Sequence, residues 1–490
     1  MPSSYGLISP TWLGLPKKMF EPKRLHPLVI FITFAKELKG AILPVIALFA
    51  VGSRDNWIIL LILVAPIILA FISGLMKWLT FRYWVEENQV RIHSGIFVKK
   101  QRYIPFERIH NINVTEGILH RPFHLVKLEI ETAGSSTGAE ASLDAISKAD
   151  AESLKQLIAG HAINDQAEAS IMKEHAQSPL YELHGKRLFT FAATAGGAIV
   201  MLGTLGALFS QMDELISWDL LFTSFERLSD YQPIISVLVA IMVLIALWLI
   251  AILLTIIRYY HFTVTKEDDK IHITRGLLER KERTIPLARI QGILVVENPL
   301  RQFLGFVSLK VVSAGGNALE SGEGTEAFLL PLVKRDEVAA ILSKILPEYP
   351  WLESVQPLPQ QAKERYLRRP LFFLVPLVCL ITYFWYPWGR YSLLLLPLGM
   401  GWGYFKYRAA GYDREGNIIC FRWRFVSRKQ LIAKRNHIQA YRMRQNPLQR
   451  RRDLVSVQIS LKSGELALHG KVIDLDQPTA RELYAWYSRN

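Results

Sequence analysis

The sequence predicts an α-helical polytopic membrane protein with about six spans in three hairpins, each followed by a cytoplasmic α+β module. Three observations lead to this fold class. One stretch of the chain, residues 285–316, occurs three times. Apolar segments about long enough to cross a bilayer precede each copy. Half of the 490 residues are hydrophobic although 21% are charged, a mixture that fits polar modules alternating with membrane spans.

The repeated stretch, residues 285–316, also occurs as residues 104–134 and, in a more divergent copy, as residues 432–464. Asn446-Pro447-Leu448 in the third copy repeats Asn298-Pro299-Leu300 in the second. Spaced matches over such a long period indicate duplication of a whole module rather than a solenoid of short units. Two triplets are therefore expected at equivalent buried strand positions: Ile109, Ile290 and Ile438, and Leu128, Leu309 and Val457.

Each copy has the pattern of antiparallel strands followed by one helix. Apolar and polar residues alternate in VKLEIE, VSLKVV and VSVQIS, which is the period of two of a half-buried strand. Gly95 and Gly276 each lie between two strand-like runs and indicate a hairpin or bulge, whereas Arg424 replaces this glycine in the third copy. An amphipathic helix is predicted to close each module, at residues 148–161, 334–346 and 477–487.

Six apolar segments are candidates for membrane spans. The three strongest are Trp57–Leu79, Leu188–Phe209 and Pro233–Ile257. An earlier segment carries charges up to Lys39, and a lysine at mid-membrane costs roughly 2.5–3.5 kcal/mol, so its span is expected to begin near Gly40. Residues 370–385 and 391–405 form the third hairpin, whose second arm is short.

These patterns divide the chain into eight predicted segments. They are an N-terminal segment with the first hairpin (1–81), the first module (82–162), a linker with an interfacial segment (163–187), the second hairpin (188–257), the second module (258–350), a linker (351–369), the third hairpin (370–405) and the basic third module (406–490). Acidic residues dominate the connection 210–232, whereas the N-terminal segment and the modules hold most of the lysines and arginines. The positive-inside rule therefore puts both termini and all three modules in the cytoplasm.

A spanning hairpin followed by a β module, repeated three times, resembles the bacterial membrane-flanked-domain family, whose modules are bacterial pleckstrin-homology-like domains. The resemblance covers nearly the whole chain and depends on Leu25-His26-Pro27, on Gly95 and Gly276, and on the Asn-Pro-Leu turns. The first copy departs from it, with Glu116-Gly117-Ile118-Leu119 in place of such a turn. The resemblance implies an antiparallel β roll or barrel capped by its C-terminal helix, no assigned enzymatic activity, and the bacterial cytoplasmic (inner) membrane.

Motifs that would carry catalysis or bind a metal are missing from the sequence. It contains no P-loop, nucleophile elbow, HExxH motif or cysteine cluster, and Cys379 and Cys420 are isolated. His120 and His124 are four residues apart, but Pro122 lies between them and no third ligand follows at a useful spacing. A solvated turn is the preferred interpretation there. We expect no catalytic residue, no cofactor and no metal.

The third module carries most of the net charge of the chain. Residues 406–490 hold 18 Lys/Arg and 7 Asp/Glu, a net +11 out of the formal +15 of the whole sequence. Next to a span, such a cluster can lie on anionic lipid headgroups, with about 1 kcal/mol for each basic residue near the surface. The alternative is a plain orientation signal. The candidate lipid-binding or partner-binding residues are Arg422, Arg424, Arg428, Lys429, Lys434, Arg435, Arg442, Arg444, Arg450, Arg451 and Arg452.

Three functions remain open. The favoured one is a non-enzymatic scaffold or adaptor whose modules bind lipid headgroups, a partner protein or each other, with a homo-oligomer among the options and no nucleic acid. The family resemblance implies a smaller single-module relative as a partner and a role in tolerance to envelope-directed antimicrobial peptides. A lipid- or peptide-handling transporter would place polar residues inside its spans, and the long spans show few beyond Ser73, Thr190, Thr194 and Thr204. The third is an enzyme with an unrecognised site.

Overall fold

The computed structural model describes residues 22–38, 40, 57–95, 98–132, 140–161, 179–196, 203, 233–313, 326–463 and 467–488. The predicted first span beyond Gly40 and the acidic connection 210–232 lie outside these ranges, as does the predicted span Leu188–Phe209 beyond residue 196, except for residue 203. Within the described ranges, three β modules follow one another along the chain and alternate with apolar helices.

Most of the first module follows helix α1 (Trp57–Thr80), and one short strand precedes this helix. Its first strand set is a four-stranded antiparallel sheet of β1 (Lys23–Arg24), β2 (Arg82–Glu86), β3 (Gln89–Ser94) and β4 (Lys100–Pro105). A 3-10 turn leads into its second strand set and closing helix: β5 (Ile109–Glu116), β6 (Leu125–Thr132), β7 (Ala141–Ser147) and α2 (Lys148–His161). Tyr83, Leu128 and Leu143 belong to the single core that the two strand sets and the helix enclose.

The second module repeats this order. Its first strand set, with the apolar helices that interrupt it, consists of β8 (Tyr181–Leu183), α3 (Gly185–Ala193), α4 (Pro233–Tyr259), β9 (Phe262–Glu267), β10 (Lys270–Arg275) and β11 (Arg280–Pro286). The second strand set consists of β12 (Ile290–Glu297), the short helix α5 (Pro299–Phe303), β13 (Phe306–Ser313), β14 (Glu326–Lys334) and α6 (Val338–Ile345). The closing helix is shorter than predicted, because Arg335–Glu337 form a 3-10 turn before it.

The third module has the same plan again. Its first strand set and apolar helices are β15 (Gln356–Pro357), α7 (Gln360–Phe384), α8 (Leu395–Ala409), β16 (Gly411–Glu415), β17 (Ile418–Arg424) and β18 (Arg428–Lys434). Its second strand set is β19 (Ile438–Arg444), α9 (Pro447–Arg450), β20 (Leu454–Leu461), β21 (Leu468–Asp476) and the closing helix α10 (Gln477–Ser488). The three modules therefore share one order of elements.

The predicted equivalent positions occupy matching places in the three modules. The isoleucine triplet begins β5, β12 and β19, where Ile290 and Ile438 are buried and Ile109 is only partly buried. The second triplet lies on β6, β13 and β20, and all three of its side chains are fully buried. These positions confirm the duplication that the sequence predicts.

The backbone conformation requires glycine at both of the predicted glycine turns. Gly95 and Gly276 have φ angles of +97° and +108°, in the region that disfavours side chains. A Cβ atom on Gly276 would lie 2.0 Å from the carbonyl oxygen of Glu279. Arg424, at the equivalent position of the third module, remains in strand β17, and the bend follows at residues 425–427. That turn is therefore built differently from the other two.

The modules are joined to one another by strand pairing. β5 pairs with β11, so one seven-stranded sheet contains the second strand set of module one and the first of module two. β12 pairs with β18 in the same way and forms a second seven-stranded sheet. We call these two strand pairs the first joint and the second joint. Leu294 and Val312 of module two pack in the core of module three, so the second joint also shares hydrophobic core.

Two of the described helices contain segments long and apolar enough to cross a membrane. These are Ile241–Tyr259 within α4, with a mean hydropathy of 2.8, and Gln360–Phe384, which is α7, with 1.6. Val64–Thr80 of α1 is a shorter apolar helix. Most of the side chains in the two longer segments are not buried by protein, as expected for helices that face lipid. The described residues thus support spans in the second and third hairpins, and the six-span topology remains a prediction.

Candidate functional site

Three of the eleven predicted basic residues hold the second joint together. Arg428 of β18 forms an ion pair with Glu297 of β12, and the two side chains are only 12% and 4% exposed. Lys434 forms an ion pair with Glu348, which follows α6. Arg424 donates a hydrogen bond to a side-chain amide of α5. These cations are occupied by contacts between the second and third modules.

Three more of the predicted cations bind groups near the third module. Arg422 donates from Nε to the backbone carbonyl of Ala409 at 2.9 Å, and burial lowers the pKa of this arginine to about 10. Arg435 donates to a backbone carbonyl of α10 at 3.5 Å. Arg452 forms an ion pair of 2.9 Å with Glu364 on α7. These side chains fix the module internally or against the helix that precedes it.

The remaining five predicted cations are exposed: Lys429, Arg442, Arg444, Arg450 and Arg451. Arg442 and Arg444 are two residues apart on β19 and therefore lie on the same face of the sheet. Arg450 ends the short helix α9 and Arg451 follows it. The predicted set thus separates into six residues used in protein contacts and five that face solvent.

Arg442 and Arg444 line an open groove of about 500 Å³ on the outer face of β19, β20 and β21. Strand register places Arg442 beside Gln458 and Gln458 beside Lys471. Lys471 is a third cation of the groove that the sequence did not single out. None of the lining residues is acidic, so the groove suits an anion. The full lining is Arg442, Arg444, Gln445, Asn446, Gln449, Ser456, Gln458 and Lys471.

Gln449 of α9 forms the buried floor of this groove. Its Nε2 atom donates to Ser456 Oγ at 2.8 Å and to Asp474 Oδ1 at 2.7 Å. Its Oε1 atom accepts from the backbone N–H of Asn446 at 2.9 Å, which completes a capping box at the start of α9. Because every polar atom of this side chain has a partner, the floor is rigid and only the rim is available to a ligand.

Asp474 connects the floor of the groove to a membrane helix. Its carboxylate is fully buried and accepts from Arg365 Nε at 3.1 Å and from Arg369 Nη2 at 2.8 Å. Both arginines lie on α7, in the turns just before its apolar part. The Asp474 backbone is left-handed, with φ of +62°, at a β-bulge between β20 and β21. The groove therefore lies next to the end of a candidate span.

Polar contacts with a membrane-side helix also occur in the other two modules. In the first module, Lys77 of α1 forms an ion pair with Asp144 of β7. Burial raises the pKa of Asp144, but hydrogen bonds and attraction from Lys77 outweigh this effect and hold the pKa below its ordinary value. In the second module, buried Arg301 donates from Nε to Thr194 Oγ1 at 2.9 Å, just after α3. The first and third modules are thus attached to a helix at the bulge, and the second module is attached through Arg301 of α5.

The outer edge of β19 is open in the part of the chain that the structure describes. The equivalent strands of the first two modules, β5 and β12, are each covered on this edge by a strand of the next module. In the third module, no strand of the described residues pairs with β19 on this edge. Its exposed edge carries Arg442 and Arg444, where the covered strand β12 carries Leu294 and Val296.

Potential metal ligands occur elsewhere in the described residues. Glu182, His184 and His261 bring one carboxylate and two imidazole rings within 4.8 Å of one another, and all three side chains are exposed. His120, for which a solvated turn was the preferred interpretation, is instead buried, because its Nε2 atom bonds the carbonyl oxygen of Asp144 at 2.7 Å. That prediction was wrong for His120, which aligns with Arg301 and Gln449 in the other two copies of the repeat, and all three side chains are buried.

The sequence matches the family model for the bacterial PH domain at residues 38–162, 203–349 and 370–490. The chain belongs to the bacterial PH domain family. Two proteins of Bacillus subtilis (strain 168) are similar to it. The UPF0699 transmembrane protein YdbT is 33% identical over 487 residues, which cover 96% of this chain and 99% of YdbT. The UPF0699 transmembrane protein YdbS is 30% identical over 73 residues, 15% of this chain and 46% of YdbS.

No solved structure matches the chain. The family matches confirm the resemblance predicted from the sequence, and the three β modules are bacterial PH domains. The similarity to YdbT extends over nearly the whole length of both chains and includes the apolar helices between the domains. The protein is therefore a membrane protein with three repeated bacterial PH domains.

Proposed function

We propose that this bacterial PH domain protein is a non-enzymatic scaffold of the cytoplasmic membrane, with six spans and both termini in the cytoplasm. The groove of its third domain binds anionic lipid headgroups. The observation that carries this proposal is the set of three cations, Arg442, Arg444 and Lys471, around an open groove whose lining has no carboxylate. Paired strand sets make the three domains one continuous platform for this site.

The position of the groove favours a headgroup over a dissolved anion. Its floor residue Gln449 touches Asp474, which binds two arginines at the start of the apolar part of α7. Arg450 and Arg451, which follow Gln449, add two exposed cations on the same side. At about 1 kcal/mol for each basic residue near an anionic surface, three groove cations contribute on the order of 3 kcal/mol.

The test compares lipid adducts on the full chain by native mass spectrometry from detergent, with phosphatidylglycerol against phosphatidylcholine. Replacing Arg442, Arg444 and Lys471 by glutamine should weaken phosphatidylglycerol binding by roughly 100-fold, because about 1.4 kcal/mol corresponds to a factor of ten. The matched control replaces Lys344, Lys462 and Arg481, three exposed cations outside the groove, and removes the same charge. Equal weakening by both triple variants would contradict a specific headgroup site.

A second candidate function is the capture of a partner protein by strand addition to β19. The open edge favours it, because β5 and β12 bind a first-set strand of another PH domain on this edge. The same register would place Arg442 and Arg444 opposite Arg102 and Lys100 of the open edge strand β4 in a second copy of the chain. Like charges directly opposite one another are unfavourable, which disfavours a homo-oligomer at this edge.

The occupant of this edge would be the first-set strand of a PH domain in a different polypeptide, with neutral or acidic residues opposite the two arginines. YdbS shows that shorter relatives of the chain exist, and the match spans about half of its length. Co-expression with such a single-domain protein and cysteine crosslinking from Gln439, an exposed residue of β19, tests the pairing. Lys471 lines the groove but lies two strands away from the open edge of β19. Crosslinks that persist when Lys471 is replaced by glutamine would therefore favour strand addition at β19 over binding in the groove.

A further inference from the structure

Each joint carries an exposed apolar patch that no described part of the protein covers. The first joint patch consists of Ile118, Leu119, Phe123, Leu277 and Leu278. The second joint patch consists of Leu300, Phe303, Leu304, Phe425 and Val426. Phe303 is 91% exposed and Phe425 is 75% exposed, which is unusual for aromatic residues in water.

Both patches are built in the same way from two domains. One domain supplies the turn after its strand β5 or β12, and the next domain supplies the hairpin tip before β11 or β18. Strand register opposes Glu116 to Arg280 in the first joint and Glu297 to Arg428 in the second, which brings the two loops to one end of each joint. At the second joint, Ser427 Oγ also donates to Asn298 Oδ1 at 2.6 Å.

The first joint patch adjoins a candidate span. The backbone N–H of Leu277 donates to the carbonyl oxygen of Ile257 at 2.9 Å, and that of Gly276 to Tyr260 at 2.8 Å. Ile257 belongs to the apolar segment Ile241–Tyr259 of α4. The hairpin tip with Leu277 and Leu278 is therefore fixed beside the end of this helix by main-chain hydrogen bonds.

The second joint patch adjoins membrane-side helices on both of its loops. Arg301, between Leu300 and Phe303, donates from Nη2 to the carbonyl oxygen of Phe191 on α3 at 3.2 Å. Trp248, within the apolar segment of α4, donates to the Ala193 carbonyl at the end of that same short helix at 3.4 Å. On the other loop, Lys406 of α8 places its ammonium group 4.8 Å from the centre of the Phe425 ring.

We propose that both joint patches insert into the lipid leaflet on the side of the membrane where the domains lie. A lipid surface fits because the loops are held at the ends of the same helices that cross the bilayer, where apolar side chains would otherwise face water. Lys406 can extend its charge to the headgroups while its stem stays apolar. The inserted loops fix the angle between the platform and the membrane.

The third domain differs at the equivalent turn, where the described residues form no joint. Arg450 and Arg451 stand where the second domain has Gln302 and Phe303, counted from the matching Asn-Pro-Leu turns. Arginine suits the headgroup layer rather than the acyl chains. These arginines suit an interfacial position where no second apolar loop of the described residues lies beside the turn.

Single cysteines in the full chain test the insertion, with Cys379 replaced by alanine and the buried Cys420 retained. Leu278→Cys and its control Asp269→Cys lie beyond opposite ends of β10, a strand of six residues that spans about 20 Å. Phe425→Cys and its control Asn417→Cys lie at opposite ends of β17. Each thiol is labelled with bimane, and the protein is reconstituted into nanodiscs with and without doxyl-labelled phosphatidylcholine.

Insertion predicts strong quenching by doxyl lipid at Leu278 and Phe425 and little quenching at both controls. A second measurement avoids the fluorescent label, which could itself favour lipid. The unlabelled thiols at the two tips should react much more slowly with a membrane-impermeant maleimide in nanodiscs than the two controls do. Equal quenching and equal reactivity at tips and controls would overturn the proposal. Neither result depends on the groove, since no patch residue lines it.

Discussion

Glu297 of the second domain and Arg428 of the third form an ion pair across the second joint. Glu116 and Arg280 are aligned with each other at the same register across the first joint. In both joints the glutamate is the last residue of its strand, β5 or β12. The arginine is the first residue of the strand that pairs with it, β11 or β18. The duplication has therefore preserved the connection between domains as well as the domains themselves.

Removing the cation from this pair is expected to destabilise the protein strongly. In Arg428→Gln the nearly buried Glu297 carboxylate keeps its charge and loses its partner. Breaking a buried ion pair in this way costs about 3–5 kcal/mol, and the partial exposure of Arg428 favours the lower end. The free energy of unfolding of the full chain in detergent, measured with denaturant, should fall by about 3 kcal/mol.

Two controls separate this pair from a general charge effect. The double variant Arg428→Gln with Glu297→Gln should recover part of the loss, because the uncompensated charge is removed. Glu482→Gln breaks the exposed pair with Arg414 and should change the unfolding free energy by less than about 1 kcal/mol. A loss in Arg428→Gln no larger than that of Glu482→Gln would show that the joint does not depend on the ion pair.

Gly292 is required by close packing in the second joint, where it lies opposite Ala433. A Cβ atom there would lie 2.8 Å from the carbonyl oxygen of Ile432 and 2.9 Å from a methyl carbon of Leu461. Gly292→Ala should lower the unfolding free energy by about 1–3 kcal/mol, because a filled core must shift to accept the methyl group. Gly401→Ala, with nothing within 4 Å, is the control and should be tolerated.

The strands and the repeat could be predicted from the sequence because they depend on local alternation. VSLKVV and VSVQIS place Leu309 and Val457 on the buried face whatever lies beyond the domain. The joints could not be predicted in this way. A strand has the same alternation whether its edge is paired or open, and the partners Glu297 and Arg428 are 131 residues apart. Nothing local to either residue indicates the other.

Only part of the candidate site could be predicted, because the number of charged residues in a sequence does not show which of them lie close together. Arg428 and Lys434 were expected to face a ligand, yet each binds an acidic residue of the preceding domain. Lys471 was not singled out, and only its register beside Gln458 places it in the groove. Asp474 lowers the net charge of the third module, although its effect in the structure is to hold two arginines of α7.

Asp474 is expected to attach the third domain to α7. Asp474→Asn removes the charge that binds Arg365 and Arg369, and hydrogen bonds to a charged group contribute about 1.5–3 kcal/mol. Because Arg369 is partly exposed, we expect a loss of about 2 kcal/mol. The free energy of local opening around the β20–β21 bulge, measured by backbone hydrogen exchange, should fall by the same amount. The control Asp453→Asn makes the same charge change at an exposed turn and should leave this exchange unchanged.

Acidification should weaken the second joint through His437. Its Nδ1–H donates to the backbone carbonyl of Gln291 at 3.2 Å, and the hydroxyl of Tyr349 is 3.3 Å away. Burial lowers the pKa of His437 below its ordinary value of 6.5, and Lys434 acts in the same direction, although the Gln291 carbonyl and Glu348 oppose them. The folded protein therefore binds a proton at this ring less readily than the unfolded chain does.

The sign of the pH effect follows from this difference in proton binding. The contribution of His437 to the free energy of unfolding is fully present above the ordinary pKa of 6.5. It decreases as the pH drops towards the lowered pKa of the folded state, because the unfolded chain then binds more protons than the folded protein does. The Tm of the full chain in detergent should fall between about pH 7 and about pH 5. His437→Gln keeps an N–H donor without the titrating charge, so part of this fall should disappear. His469→Gln changes an exposed histidine of β21 and should leave the pH profile as it is. Identical pH profiles of the Tm for the wild type and His437→Gln would mean that protonation of this ring does not weaken the second joint.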